Sequence, residues 1–179
     1  MKVLNLILGL IAVTVLSCGS SKPTQAQINI LDQLVENQHF VINSDWAYPQ
    51  TTMALQQVLN SGLLSPGSTA GSINLIGNPN FLTISGDSIT SYLPYFGERQ
   101  MHTEYGGSDS AIQMKGLMED FKIEKIKNHN YRITFKAKSK SENFDVYINL
   151  SPNLKSNMVL NGTYRFPIRY VGNVKQLVE

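Results

Sequence analysis

The sequence predicts a mainly β protein, either an antiparallel up-and-down β-barrel or a strongly curved sheet, lipocalin-like, with one N-terminal α-helix. Aromatic and β-branched residues fall in short runs separated by turn residues, which is typical of antiparallel sheets. Within the runs apolar and polar side chains alternate, as in the segment 131–138. So many consecutive short strands would leave long unpaired edges in a flat sheet, and a closed or curved sheet avoids such edges.

The chain begins with a predicted signal peptide, residues 1–17. Lys2 gives a positive start, and the run 3–16 is mostly apolar. This run is shorter than the roughly 20 residues that a membrane-spanning helix needs. The segment Val15–Cys18 resembles the bacterial lipobox, in which apolar and small residues precede a cysteine that becomes lipidated. We therefore expect cleavage before Cys18, and the alternative is an ordinary secretory peptide in which this cysteine is incidental.

Cys18 is the only cysteine in the chain, so no disulfide can form within it. Lipid burial contributes roughly 0.8 kcal/mol per methylene, so several acyl chains on this residue would hold the protein on a membrane. Residues 18–22 are then a short lipidated tether. The membrane is the first predicted partner, and the domain needs no membrane-binding surface of its own.

Length and charge limit what the mature chain can be. Residues 23–179 have the size of a single domain with a proper core. The formal charge of the precursor is only +2, and its basic residues are scattered among acidic ones. This pattern does not indicate a nucleic-acid partner.

The first folded element is a predicted helix that starts at a capping box. Thr24 can accept from the amide of Gln27, whose side chain can accept in return, and Pro23 lies just outside the helix. Apolar side chains then recur on one face, at Ile28, Leu31, Leu34 and Val35. We expect this stripe to pack on the sheet.

From Phe40 the pattern changes to alternation. Strands are predicted around Phe40 and Ile42 and around Met53, Leu55 and Val58, before a break rich in Gly, Ser and Pro from 61 to 71. Hairpin turns are predicted at 77–79 and 86–87. The remaining predicted strands are Ile73–Ile76, Phe81–Ser85, Ser88–Tyr95, Ala111–Leu117, Phe121–Ile126, Tyr131–Ala137, Phe144–Leu150, Asn157–Leu160 and Arg165–Tyr170.

One segment carries a family resemblance. Tyr92–Gly97 reads YLPYFG and is followed by Tyr105–Gly107, Ile112 and Gly116. This pairing resembles an uncharacterised family of lipoproteins from Bacteroides-like bacteria, catalogued as domain of unknown function 4251. Further segments that fit the family are Phe40–Ile42, Pro49, Ser85–Asp87 and Arg169–Gly172. The resemblance implies a β-barrel-like fold similar in outline to lipocalins and implies no activity.

The residues after Cys18 bear on location. Gly19–Ser21 follow it, with no aspartate in the next position and without the acidic cluster that resembles a surface-export signal in such bacteria. We therefore expect anchoring to the cell outer membrane on its periplasmic face.

The aromatic segment is also the candidate ligand site. Tyr92, Tyr95, Phe96 and Tyr105 place amphipathic rings near one strand end, and a barrel mouth lined by such rings can bind a small apolar ligand. The alternative is packing, in which Leu93 points into the core and the rings cap the barrel. The residues themselves leave both interpretations open.

Metal, phosphate and cofactor sites are not indicated. The loop 106–110 offers too few oxygens for calcium, and it lacks the helix and lysine of a phosphate loop. His39, His102 and His129 show no ligand spacing. We predict neither a bound metal nor a cofactor.

Enzyme classes are the less favoured interpretation. Ser108, His102 and Asp109 are close in sequence, but nothing resembles the sharp elbow of a hydrolase serine. Glu98, Glu104 and Asp109 lie in one segment rather than across the cleft of a glycosidase. No catalytic residue is predicted.

Two functions of different class remain. The first is a non-enzymatic binding module for a small apolar ligand or a partner envelope protein. The second is an envelope structural or interaction protein whose barrel is fully packed and whose partner binds an edge or a loop. A barrel filled by its own side chains would argue against an internal ligand.

Overall fold

The computed structural model describes residues 22–62, 65–98, 111–140 and 142–178. Helix α1 spans Gln25–Asn37, helix α2 spans Met53–Asn60, and a short 3-10 turn covers Lys127–His129. The strands are β1 (His39–Pro49), β2 (Ile73–Asn74), β3 (Phe81–Ser85), β4 (Ser88–Tyr92), β5 (Lys115–Leu117), β6 (Glu119–Lys125), β7 (Tyr131–Lys138), β8 (Asn143–Leu150), β9 (Lys155–Gly162) and β10 (Ile168–Gln176).

The strands form one 10-stranded sheet with antiparallel pairing throughout. Hydrogen-bonded neighbours follow the order β5-β4-β3-β1-β10-β9-β8-β7-β6, and β2 adds to β1. Most strands pair with the strand that precedes or follows them in the chain. Strand β1 lies between β3 and β10, and so it joins the last strand to the early ones. The predicted fold class, an antiparallel barrel-like sheet with an N-terminal helix, is confirmed.

The chain from 112 to 125 brings the two ends of the sheet together. Its first part pairs with β4, beginning with the bridge between Ile112 and Leu93. Its second part, after Met118, pairs with β7, and Met114 already bridges Ser139 next to that strand. Because one stretch of chain pairs first on one side and then on the other, the sheet curves until it is nearly closed.

Strand β1 bends at a bulge between Ser44 and Trp46, opposite Gly172 of β10. A Cβ atom on Gly172 would lie 2.0 Å from the carbonyl oxygen of Asn43, so only glycine permits this close approach. The side chain of Asn80 accepts from the Ser44 amide at 2.7 Å and donates to the Ser44 carbonyl at 2.9 Å. The bulge is thereby satisfied, and it turns Trp46 toward the outside of the barrel.

Helix α1 packs against the barrel as the sequence predicts. The Thr24–Gln27 capping box is present, and the predicted apolar stripe of the helix is buried. At the solvent side, Asp32 accepts from Lys125 Nζ at 2.8 Å and from the Tyr131 hydroxyl at 2.7 Å. These contacts fasten the helix beside the ends of β6 and β7.

The inward-facing side chains fill the space that the sheet encloses. Residues with no exposed surface come from strands all around the barrel, among them Phe40, Ile42, Leu82, Ile84, Val146, Ile148, Met158 and Leu160. They form one apolar cluster together with Leu31, Leu34 and Val35 of the helix. The described part of the barrel therefore has a packed interior.

One secondary-structure prediction is wrong. The segment at Met53, Leu55 and Val58, predicted as a strand, forms helix α2. Among its side chains that the structure describes, Leu55 is buried, while Met53 and Val58 are exposed. Met53 and Leu55 fit alternation, whereas the spacing of three between Leu55 and Val58 fits a helix.

The predicted signal peptide and Cys18 lie outside the described residues. Within the residues that are described, no helix has the length and apolar character needed to cross a bilayer.

Candidate functional site

Tyr95, from the aromatic segment Tyr92–Gly97, is built into the wall of the barrel. Its side chain is only 6% exposed. Its hydroxyl lies 3.0 Å from the carbonyl oxygen of Glu98 and 3.2 Å from that of Phe166. The guanidinium carbon of Arg165 lies 5.0 Å from the centre of the tyrosine ring, a cation-π distance. The ring thus links the segment to the β9–β10 connection.

The other predicted ligand residues have different surroundings. Tyr92 ends β4 with its side chain exposed, and Phe96 is half-buried against the core. Leu93 has no exposed surface and points inward, as the packing interpretation expects. Tyr105 lies outside the described residues.

Beneath Tyr95 lies a buried ion pair that the sequence did not indicate. Arg165 Nε donates to Glu142 Oε2 at 3.1 Å, and the two side chains are only 5% and 1% exposed. Glu142 belongs to the β7–β8 turn, where its amide and carbonyl both bond the Ser139 side chain. The ion pair therefore joins the β7–β8 and β9–β10 connections.

Gly162 has no side chain, and this leaves space for the carboxylate of Glu142. A Cβ atom at this position would lie within 2.3 Å of Glu142 Oε1 and 2.9 Å of the Phe144 ring. That same oxygen is buried and has no hydrogen-bond partner among the described residues. A buried carboxylate with one unsatisfied oxygen is costly, so this oxygen offsets part of the stability that the ion pair contributes.

A second tyrosine, Tyr170, also holds the aromatic segment in place. The buried hydroxyl of Tyr170, on β10, donates to the carbonyl oxygen of Pro94 at 2.7 Å. Burial raises the pKa of this phenol far above its usual value near 10.0, so it stays a donor at any ordinary pH. Tyr170 thus holds the segment at Pro94, and Tyr95 holds it at the neighbouring residue.

Two of the three histidines lie among the described residues. His39 pairs with Ser85 at 3.2 Å between Nδ1 and Oγ, near the surface, and His129 lies in the 3-10 turn. Among the described residues, no cluster of three His, Cys, Asp or Glu side chains could hold a metal. His102, Glu104 and the loop 106–110 lie outside the described residues.

Open surface depressions on the barrel exterior are lined by both polar and apolar surface. One of about 360 Å³ runs along the ends of β7, β8 and β9 between Glu119, Lys136, Lys138 and Asp145. Another of about 410 Å³ lies beside the bulge, between Asp45 and Asn78.

Comparison with known proteins gives a family match. The model of the family described as domain of unknown function (DUF4251) matches residues 22–174. The chain is similar in structure to a DUF4251 family protein from Bacteroides eggerthii, with a TM-score of 0.56 and 12% sequence identity, over 84% of this chain and 88% of that one. At this identity the likeness shows the fold alone. No curated protein matches the chain.

Proposed function

The chain belongs to the DUF4251 family, and from that premise we propose that it is a lipid-anchored cell-envelope protein that acts as a non-enzymatic scaffold and binds a partner protein through its exterior. The family description assigns no function, so the proposal depends on the site itself.

The packed interior of the barrel supports the scaffold proposal. The inward-facing aliphatic and aromatic residues of β1, β3, β8 and β9 are at most 1% exposed and form a single cluster. A barrel that carries a small apolar ligand needs an unfilled interior, as lipocalin-like barrels have. The side chains here take the place that such a ligand would occupy.

The aromatic segment supports the same choice. Tyr95, the ring best placed to line a barrel mouth, uses its hydroxyl on two backbone carbonyl groups and its face on Arg165. These contacts make it a closing element of the barrel. A role in ligand binding for Tyr92, Phe96 and Tyr105 stays a prediction.

The anchor completes the proposal. Lipid on Cys18 would hold the protein at the periplasmic face of the outer membrane, and the tether 18–22 would let the domain stand off that surface. The exterior of the barrel would then be free to meet other envelope proteins.

Native mass spectrometry of the mature protein, extracted from its own envelope, tests the scaffold proposal against an internal ligand. We expect the mass of the acylated chain with no further small molecule bound. The same sample, denatured and extracted with organic solvent, is the control for losses during ionisation. A stoichiometric apolar compound in both measurements would contradict the proposal.

A further inference from the structure

We propose that one face of the barrel exterior is the docking surface, and that it binds a partner protein which presents an acidic side chain among apolar ones. This inference rests on the proposed scaffold function. The surface, called here the exterior patch, consists of Trp46, Tyr48, Tyr147, Val159, Arg169 and Val171.

The exterior patch is continuous across four strands. Tyr48 of β1 lies directly opposite Arg169 of β10, and Arg169 lies opposite Val159 of β9. Val159 in turn lies opposite Tyr147 of β8. Directly opposed residues in antiparallel strands have Cβ atoms about 5 Å apart, so these side chains touch or nearly touch.

A second row runs beside the first. Trp46 is paired with Val171, two residues along each strand from Tyr48 and Arg169. All six residues of the exterior patch alternate with buried ones and therefore face outward, with Trp46 turned out by the bulge in β1. Tyr147 is 43% exposed, which is high for an aromatic side chain.

The composition of the exterior patch differs from the neighbouring surface. It contains three aromatic residues, two valines and one arginine, and it has no Lys, Asp or Glu. On β6 and β7, by contrast, Lys136 pairs with Asp120 and Lys138 pairs with Glu119. Cores of protein–protein interfaces are enriched in Tyr, Trp and Arg and depleted in Lys, Glu and Asp.

Charge complementarity indicates the kind of partner. The Arg169 guanidinium carbon lies 4.1 Å from the centre of the Tyr48 ring, so the ring holds an otherwise flexible side chain in place. None of the ion pairs in the described part of the chain involves this arginine. An exposed, oriented and unpaired guanidinium at the centre of an apolar face is suited to a carboxylate supplied by another protein.

The residues at the edge of the exterior patch also support a protein-binding surface. Lys155 approaches Asp45 at 4.0 Å, and Asn173 donates to the same carboxylate at 2.8 Å. These residues border the Trp46 and Val171 row. An apolar, aromatic centre bordered by charged and amide side chains is the usual layout of a specific protein interface.

Photo-crosslinking in the cells that make the protein tests the inference. Tyr147→p-benzoylphenylalanine places an aromatic crosslinker on the exterior patch, and Tyr92→p-benzoylphenylalanine is the matched control at another exposed tyrosine. We expect a discrete protein adduct from position 147. Mass spectrometry should find an Asp or Glu in the crosslinked peptide of the partner.

Substitutions of Arg169 test whether the exterior patch binds a carboxylate of the partner. Arg169→Glu should lower the adduct yield from position 147 by about tenfold or more, because it opposes like charges across the interface. Arg169→Lys should retain much of the yield, and its melting curve, like that of Arg169→Glu, should match wild type. Changing the partner's acidic residue to Arg should restore the adduct of Arg169→Glu.

Different results would contradict the docking surface and the scaffold function. Equal yields for wild type and Arg169→Glu, or adducts from position 147 only to lipid, to a glycan or to a second copy of this chain, would overturn the inference. A protein adduct from Tyr92 alone would also overturn it and leave the scaffold function standing. No protein adduct from either position would count against both.

Discussion

At Tyr95 the ligand and packing interpretations of the aromatic segment can be compared directly. A ring that serves a ligand needs an accessible face, whereas this ring is almost fully buried and stacks on Arg165. Its hydroxyl reaches two carbonyl groups. The amphipathic character that suggested a binding site is used here to hydrogen-bond backbone carbonyl groups at Glu98 and Phe166.

Tyr95→Ala should lower the free energy of unfolding by about 3–5 kcal/mol, as for other large buried aromatic residues. Tyr92→Ala, at an exposed tyrosine of the same segment, is the matched control and should change it by less than about 1 kcal/mol. Urea unfolding followed by circular dichroism measures both. Similar small effects for the two variants would show that Tyr95 is not a packing residue.

The buried ion pair gives a second test at the residue scale. Glu142→Leu or Arg165→Met should cost about 3–5 kcal/mol, because each removes one partner of a buried ion pair together with its hydrogen bond. The double variant should recover most of that loss. Lys138→Met, which breaks an exposed pair with Glu119, is the control and should cost at most about 1 kcal/mol.

Equilibrium unfolding in urea gives the four free energies. A double variant whose loss equals the sum of the two single losses would mean that the two charges act independently. No local pattern indicates this pair, because Glu142 and Arg165 are 23 positions apart in polar and turn segments.

At the scale of elements, helix α1 followed from local pattern alone. Its capping box and its apolar stripe involve residues within a few positions of one another, and both are present. What the helix packs against was not predictable in detail. Contacts of Asp32 with Lys125 and Tyr131 join residues more than 90 positions apart.

The packing of helix α1 can be tested with adjacent residues. Leu31→Ala should cost about 2–5 kcal/mol, because this side chain has no exposed surface in the apolar cluster. Ile30→Ala is the matched control, since Ile30 is 45% exposed on the same helix, and it should cost less than about 1 kcal/mol. Thermal and urea unfolding measure the difference. Equal costs would mean that the helix does not dock through this face.

The outer contacts of the helix should make stability depend on pH. The hydrogen bond from Lys125 holds the pKa of Asp32 below its usual value of 3.8, opposed by burial and assisted by Tyr131. Because the folded pKa is lowered, this contribution is present above the usual value and is lost as pH falls through the folded pKa. Both side chains are partly exposed, so we expect about 0.5–1 kcal/mol.

Asp32→Asn measures that contribution. The difference in unfolding free energy between wild type and this variant should be largest near about pH 6 and should shrink toward about pH 2. In a Lys125→Met background the same difference should be smaller and depend less on pH. A difference that grows as the pH falls would contradict the assignment.

Helix α2 shows the limit of pattern at this scale. Met53 and Leu55 match alternation, whereas Leu55 and Val58 are three positions apart, which is a helical spacing. Among the side chains of this helix that the structure describes, Leu55 is buried, while Met53 and Val58 are exposed.

At the scale of the whole molecule, the anchor is the main prediction. Cys18→Ala should abolish acylation and shift the protein from the membrane fraction to the soluble fraction of the envelope. Intact mass and fractionation of the cell envelope measure this. Ser20→Ala, a small change within the tether, is the control and should leave both unchanged. Membrane retention of Cys18→Ala after removal of residues 1–17 would show that another part of the chain binds the membrane.

The sequence by itself determined the fold class, most strand positions and the family. These depend on local properties: alternation along a strand, turn residues at 86–87, the capping box and the YLPYFG segment. Alternation in particular decides which side chains face inward, whatever the strand pairs with.

Only the tertiary structure decided how the sheet closes and what its surfaces carry. The switch of pairing after Met118, the Glu142–Arg165 ion pair and the exterior patch all join residues that are distant in sequence. Their positions depend on strand register and on the bulge in β1, which no local pattern specifies. The physical reason is that these features arise from pairing between strands, whereas the sequence records directly only the preferences within each strand.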